Sequence, residues 1–269
     1  MSRHTHIPIL LYHSVSFSPS SWIAHYTVTP QDFELQMETV VASGRTPLTV
    51  SALRAALSGR RKLPPRPVVI TFDDGFADTL TAAAPVLASH DLPATVYVTT
   101  GALGQPSPGS DRMLEWEQVE ELSALGHEIG GHTRTHPELD TLTPATAREE
   151  IRVCKDQLEQ RLGLAVRSFA YPYGHSNPLV RSLVRDVGYE SACSVKNAFT
   201  TSADPEYSIA RLAVASTTSV ERLRSWLDGQ RAPTARPSDT MPVRVWRTCR
   251  RLRSRVRESA AWPLHAVRQ

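Results

Sequence analysis

Two adjacent carboxylates close a short apolar run, Pro67-Val68-Val69-Ile70-Thr71-Phe72-Asp73-Asp74-Gly75. Side by side at the end of a buried segment, they repel each other and resist desolvation, which raises at least one pKa. A cation at one of them removes the conflict and divides the work: one Asp becomes a ligand and the other is left as a base. Alone, Asp-Asp-Gly reads more simply as a turn. A second feature changes that weighting. His132-Thr133-Arg134-Thr135-His136 spaces two imidazoles by four residues, on one face if the chain turns helically after a strand. Two His and one carboxylate make a three-ligand metal site with a position left for water. Without that carboxylate, the same pair reads as exposed histidines on a polar loop. Gly130-Gly131 just upstream permits the close packing or sharp turn that a built site needs. Tyr12-His13 and Tyr171-Pro172-Tyr173-Gly174 are two further polar clusters at the ends of apolar runs.

Something must bring these four ends together. The apolar runs are too short for helices and rich in β-branched residues, so they read as buried strands. Residues 7–13, 67–72, 94–98, 126–132, 165–171, 191–195 and 209–214 fit that description. Helical patterns fall between them, at 30–43, 50–58, 79–90, 115–125, 144–161, 178–187 and 220–227. Thr29-Pro30, Thr143-Pro144 and Asn177-Pro178 open three of these as cap and first-turn pairs. Residues 14–29 read as a polar loop dotted with aromatics. Alternating strands and helices indicate an α/β protein with a parallel sheet. Reactive groups at several strand ends favour a distorted (β/α) barrel of about seven strands, whose C-terminal face assembles the site. No Gly-x-Gly-x-x-Gly follows the first strand and no phosphate loop occurs, which argues against nucleotide binding.

The chain of 269 residues suffices for a large core. Cys154, Cys193 and Cys249 are few and scattered, so neither a disulfide framework nor a cysteine zinc site is expected. The first residues lack a signal-peptide core and no run is long enough to span a bilayer, so the expected location is cytoplasmic. The net charge of +3 hides an asymmetry. Residues 231–269 hold ten Arg against Asp239 and Glu258, leaving a body of twenty basic and twenty-five acidic residues. The expected division is therefore a catalytic domain over 1–230 and a basic extension over 231–269. In that extension Val245, Cys249, Leu252 and Val256 fall at helical spacing among arginines. This reads either as an amphipathic helix for an anionic membrane surface or acidic partner, or as a solvated tail. No nucleic-acid partner is expected.

Thr71-Phe72-Asp73-Asp74-Gly75 and His132-Thr133-Arg134-Thr135-His136 together closely resemble the motifs of the polysaccharide deacetylases, carbohydrate esterase family 4. The resemblance covers roughly residues 7–227. It implies a metal-dependent hydrolase that removes an N-acetyl group from an amino-sugar-containing carbohydrate. By the same resemblance Asp73 is the general base, and Asp74, His132 and His136 hold a divalent metal, usually zinc. Two positions depart from the family pattern. Ala170 stands where an Arg that steadies the base is usual, and the late Leu-x-His that supplies an acid is missing. Leu11-Tyr12-His13-Ser14-Val15, with Phe169-Ala170-Tyr171-Pro172-Tyr173-Gly174, looks like the branch containing poly-N-acetylglucosamine deacetylases. In that branch the acid comes from the early Tyr-His segment, which assigns the role to His13; otherwise His13 is a core residue closing a strand. The resemblance also points to the Tyr173 backbone N–H as oxyanion donor. Tyr12, Tyr171 and Pro172 are expected at the substrate, although Tyr171 and Tyr173 could equally pack around Pro172. The two departures leave an alternative, a catalytically weakened carbohydrate-binding protein on the same scaffold.

Overall fold

A computed structural model describes residues 6–109 and 111–235. The central strands form where apolar residues cluster and are buried on both faces, while Thr46–Leu48 at the sheet edge is half-buried. In chain order the strands are β1 (Ile9–Tyr12), β2 (Ser14–Val15), β3 (Thr27–Val28), β4 (Thr46–Leu48), β5 (Pro67–Phe72), β6 (Thr95–Val98), β7 (Glu128–Gly131), β8 (Ser168–Ala170), β9 (Ser191–Cys193) and β10 (Leu212–Ala213). The main sheet is parallel throughout, in the order β10-β1-β5-β6-β7-β8-β9. A parallel bridge between Cys193 and Ile209 then links β9 to the segment that continues into β10. Seven strands thus form the distorted barrel that the sequence predicts.

Helices cover the outside: α1 (Pro30–Ala42), α2 (Val50–Leu57), α3 (Ala84–Ser89), α4 (Trp116–Ala124), α5 (Pro144–Leu162), α6 (Pro178–Asp186) and α7 (Val220–Leu227). The three marked starts are capped as expected. The side chains of Thr29, Thr143 and Asn177 accept from the N–H groups of Asp32, Thr146 and Val180. At the N-terminal end of the barrel the Glu128 carboxylate accepts from the Ser51 N–H at 3.0 Å, Thr95 Oγ1 at 2.9 Å and Ser168 Oγ at 2.7 Å. These bonds offset the desolvation of the half-buried carboxylate. That end is a polar plug, which leaves the opposite end for chemistry.

Three local expectations are corrected. Residues 14–29 are not simply a loop, because β2 and β3 pair in parallel there through Ser14 and Thr27. β4 was not expected, since Thr46-Pro47-Leu48 is too short for periodicity and contains a proline; it pairs with the first half of β5. The helix after Gly75 begins as a π-helical stretch, Thr79–Ala83. At the other end, Phe199 donates to the Pro233 carbonyl at 2.8 Å and accepts from the Ala235 N–H at 3.0 Å. These bonds tie residues 233–235 to the body, past the expected boundary at 230. The basic helix expected around residues 245–256, and Cys249 with it, lie outside the described residues. Cys154 and Cys193 are free and buried. Among the described residues no helix is long and apolar enough to cross a membrane.

Candidate metal and catalytic centre

The ends of β5 and β7 meet at three ligating atoms. Asp74 follows β5 with φ 74° and Gly75 with φ 91°. This left-handed step sends successive carboxylates to different partners, Asp73 toward Arg211 and Asp74 toward the histidines. His132 continues β7, its N–H donating to the Val98 carbonyl at 3.0 Å. The expected helical turn to His136 is absent. Thr133 (φ 67°) and His136 (φ 59°) both lie in the left-handed region, and the chain doubles back between them. A β-branched residue there is strained, at a cost of about 1–3 kcal/mol. Surrounding bonds hold the conformation. His136 N–H donates to Thr133 Oγ1 at 2.9 Å, and the Glu150 carboxylate on α5 accepts from the N–H and hydroxyl of Thr135 at 2.8 and 2.9 Å.

In this arrangement His132 Nε2 lies 3.3 Å and His136 Nε2 3.2 Å from Asp74 Oδ1. All three residues are buried, and one ligating atom from each lies within 4.8 Å of the others. Tetrahedral zinc with bonds near 2.0–2.1 Å would separate ligand atoms by roughly 3.4 Å, so this spacing fits a divalent ion. The tautomer fits as well. His132 Nδ1 lies 2.8 Å from the Ala170 carbonyl, to which it donates, leaving the Nε2 lone pair for the cluster. Burial pushes the His132 pKa down, but Asp73, Asp74 and the Ala170 carbonyl outweigh it and raise it overall. The same negative field attracts a cation.

Asp73 has a different partner. Arg211, fully buried, donates from Nη1 to Oδ1 and from Nη2 to Oδ2, both at 2.7 Å. Its Nη1 also reaches Thr71 Oγ1 at 3.2 Å, and its guanidinium lies over the Tyr97 ring at 5.4 Å. Burial pushes the Asp73 carboxyl up, while Arg211, His132 and His13 outweigh it and hold the pKa below the ordinary value. His13 completes the group. Burial lowers its pKa, with Asp74 and Asp73 opposing, and its buried Nδ1 has no hydrogen-bond partner. Its ring lies against Tyr26 at 5.0 Å.

The model of the polysaccharide deacetylase family matches residues 60–192. The solved Streptococcus pyogenes deacetylase PplD, in complex with acetate, superposes with a TM-score of 0.74 at 27% identity, covering 82% of this chain and 97% of that one. Residues 60–192 form a polysaccharide deacetylase domain. The relatives similar to it are named as deacetylases. The Bacillus subtilis protein YxkH is 29% identical over 184 residues, 68% of this chain; the match spans 62% of YxkH, under two thirds of its length. A Staphylococcus aureus poly-β-1,6-N-acetyl-D-glucosamine N-deacetylase is 22% identical over 219 residues, 78% of this chain and 75% of that one.

Within the deacetylase pattern, the Arg missing at Ala170 has a substitute from another strand. Arg211 immediately precedes β10, and sequence reading passed over it as a strand residue. Its signal was a charge set in an apolar run, Ile209-Ala210-Arg211-Leu212-Ala213-Val214, which demands a buried partner. Three expected substrate contacts are corrected. The Tyr12 ring packs against Phe33 and Phe72, and its hydroxyl donates to Gln36 at 2.8 Å. The Tyr171 ring packs on Phe169 and its hydroxyl donates to the Tyr207 carbonyl at 3.0 Å. Both rings are core, and Pro172, next to Tyr171 in the chain, is buried as well. Alternation accounts for Tyr12, whose neighbour His13 faces the other way, whereas after β8 the turn Pro172–Gly174, with Tyr173 at φ 57°, separates Tyr171 from Tyr173. Tyr173 differs: it is exposed, has φ 57° and lies against the His136 ring at 4.7 Å.

Proposed function

We propose that this chain is a metal-dependent N-deacetylase of amino-sugar-containing carbohydrate. The observation that carries the reading is the buried Asp74–His132–His136 cluster beside a carboxylate, Asp73, that Arg211 keeps ionised. A divalent ion, zinc by the N/O donor set and its spacing, would supply Lewis acidity toward the amide carbonyl and a water. Asp73 takes a proton from the attacking water as its oxygen adds to the acetyl carbon, and the C–N bond then breaks to give acetate and the free amine. His13 gives a proton to the leaving amine, and the Tyr173 backbone N–H receives developing negative charge on the carbonyl oxygen. The substrate class follows the named relatives, which include an enzyme of poly-β-1,6-N-acetyl-D-glucosamine. The alternative of a binding protein that lost catalysis leaned on the absent Arg at 170 and the absent late His; the bond of Arg211 to Asp73 answers the first, and the second rests on His13 as the acid.

Acetate release from N-acetylglucosamine oligomers tests the reading. Purified protein should release acetate, stop when treated with a chelator, and recover when zinc, cobalt or nickel is added back. No acetate from any oligomer with any metal would overturn it.

The acid role has its own test. His13→Ala should slow amide hydrolysis by roughly 10²–10⁴-fold. It should spare an activated acetyl ester, whose leaving group departs without a proton. Equal losses on both substrates would show instead that His13 is structural or binds the oxyanion.

A further inference from the structure

The His13 side chain lacks an anchor of its own. Its buried Nδ1 bonds to no described residue, and its ring touches Tyr26, which is itself 41% exposed. Placement of the ring therefore falls to the backbone on either side. Before it, the Tyr12 carbonyl accepts from the Asp73 N–H at 3.0 Å. After it, the buried Ser14 hydroxyl donates to Asp78 Oδ2 at 2.6 Å, the length of a charge-assisted bond. Asp78 stands at the start of the π-helical stretch Thr79–Ala83, where an Asp ordinarily caps its own helix. It makes no such bond and turns instead to Ser14, 64 positions away. Asp78 is also well anchored. Its loop follows directly from Asp73-Asp74, with the Gly75 carbonyl accepting from the Leu114 N–H and the Ala77 N–H donating to the Arg112 carbonyl, both at 2.9 Å. Burial raises its pKa to about 6, with Ser14 and the Val15 N–H opposing and Asp111 adding, so it is ionised at neutral pH. One carboxylate thus ties the segment that carries His13 to the loop that carries Asp73 and Asp74.

We propose that Asp78 is a positioning residue for the acid, fixing His13 relative to the base through the Ser14 hydroxyl. The proposal rests on the reading of His13 as the acid, so His13→Ala is measured beside it. Asp78→Ala should slow acetate release from N-acetylglucosamine oligomers by roughly 10- to 100-fold, the cost of misplacing a reacting group by about 1 Å. Hydrolysis of an activated acetyl ester, which needs no proton from His13, should stay within about twofold, and zinc content should not change. Ser14→Ala should act alike. Each single change leaves one polar partner unpaired, whereas the two together leave none. The double variant should therefore melt above either single one and still keep their amide defect. Asp78→Asn retains an acceptor for Ser14 and should recover most of the rate. Histidine NMR of the full chain reads the same contact without turnover. The ring signal that His13→Ala deletes should shift in Asp78→Ala and return in Asp78→Asn. A His13 signal unmoved by Asp78→Ala overturns the positioning role, as does an amide rate restored in the double variant. If His13→Ala separates amide from ester and Asp78→Ala does not, positioning alone falls. If His13→Ala loses both equally, the acid reading falls and takes the positioning role with it.

Discussion

Arg211→Met should destabilise the protein by about 3–5 kcal/mol, because it leaves the Asp73 carboxylate buried with its charge uncompensated. The pH dependence separates that cause from lost packing. In the native protein, burial raises the Asp73 pKa and Arg211, His132 and His13 outweigh it, so the folded value lies below the unfolded one. A depressed carboxyl stabilises the fold above the unfolded pKa, near 3.9, and that contribution fades as pH falls through the folded value. Without Arg211 the burial contribution meets less opposition and the folded pKa rises. The variant then loses stability as pH increases, and its deficit should widen between about pH 4 and pH 8. Thermal denaturation across that range is the measurement. A deficit independent of pH would mean that Arg211 acts through packing alone. Adding Asp73→Asn to Arg211→Met should recover much of the stability, since the pair fails together. Arg211→Lys keeps the charge but not the two-pronged geometry, and should fall between. Activity should follow the same logic, with the acid limb of the Arg211→Met profile displaced to higher pH.

Asp73→Asn should reduce acetate release by roughly a hundredfold or more while leaving one metal ion per chain, because the base is lost and the three ligands remain. Elemental analysis alongside the rate assay distinguishes loss of base from loss of metal. The same substitution leaves the buried Arg211 guanidinium facing a neutral amide, so a stability loss of a few kcal/mol accompanies it. Rates are therefore compared well below the melting temperature of the variant. Acetate release near that of the unaltered protein would remove Asp73 from the base role.

The local features of this chain were legible because they are local. Apolar β-branched runs specify strands, Thr-Pro and Asn-Pro pairs specify helix starts, and their alternation specifies a parallel barrel, since each rests on a few neighbouring residues. The Asp73-Asp74 pair and His132 with His136 could be picked out for the same reason, as carboxylate and imidazole types at strand ends, while the choice of Asp74 as the ligand came from the resemblance to the deacetylase motifs. The means by which they meet was not legible. Thr133 and His136 adopt a left-handed backbone that propensity disfavours, and bonds from Glu150 on a distant helix help stabilise it. The facing of a ring at a strand end was also beyond the sequence. Tyr12 and Tyr171 turn into the core, while the left-handed backbone of Tyr173 in the turn after β8 carries that ring out. Arg211 shows the division most clearly. Its type and apolar surroundings announced a buried charge in need of a partner. Only the closing of β10 against β1, which sets Leu212 beside Leu10, carries Arg211 across 138 positions to the carboxylate it neutralises. A charge within an apolar strand is a local fact, whereas its partner is decided by the order in which the strands pack.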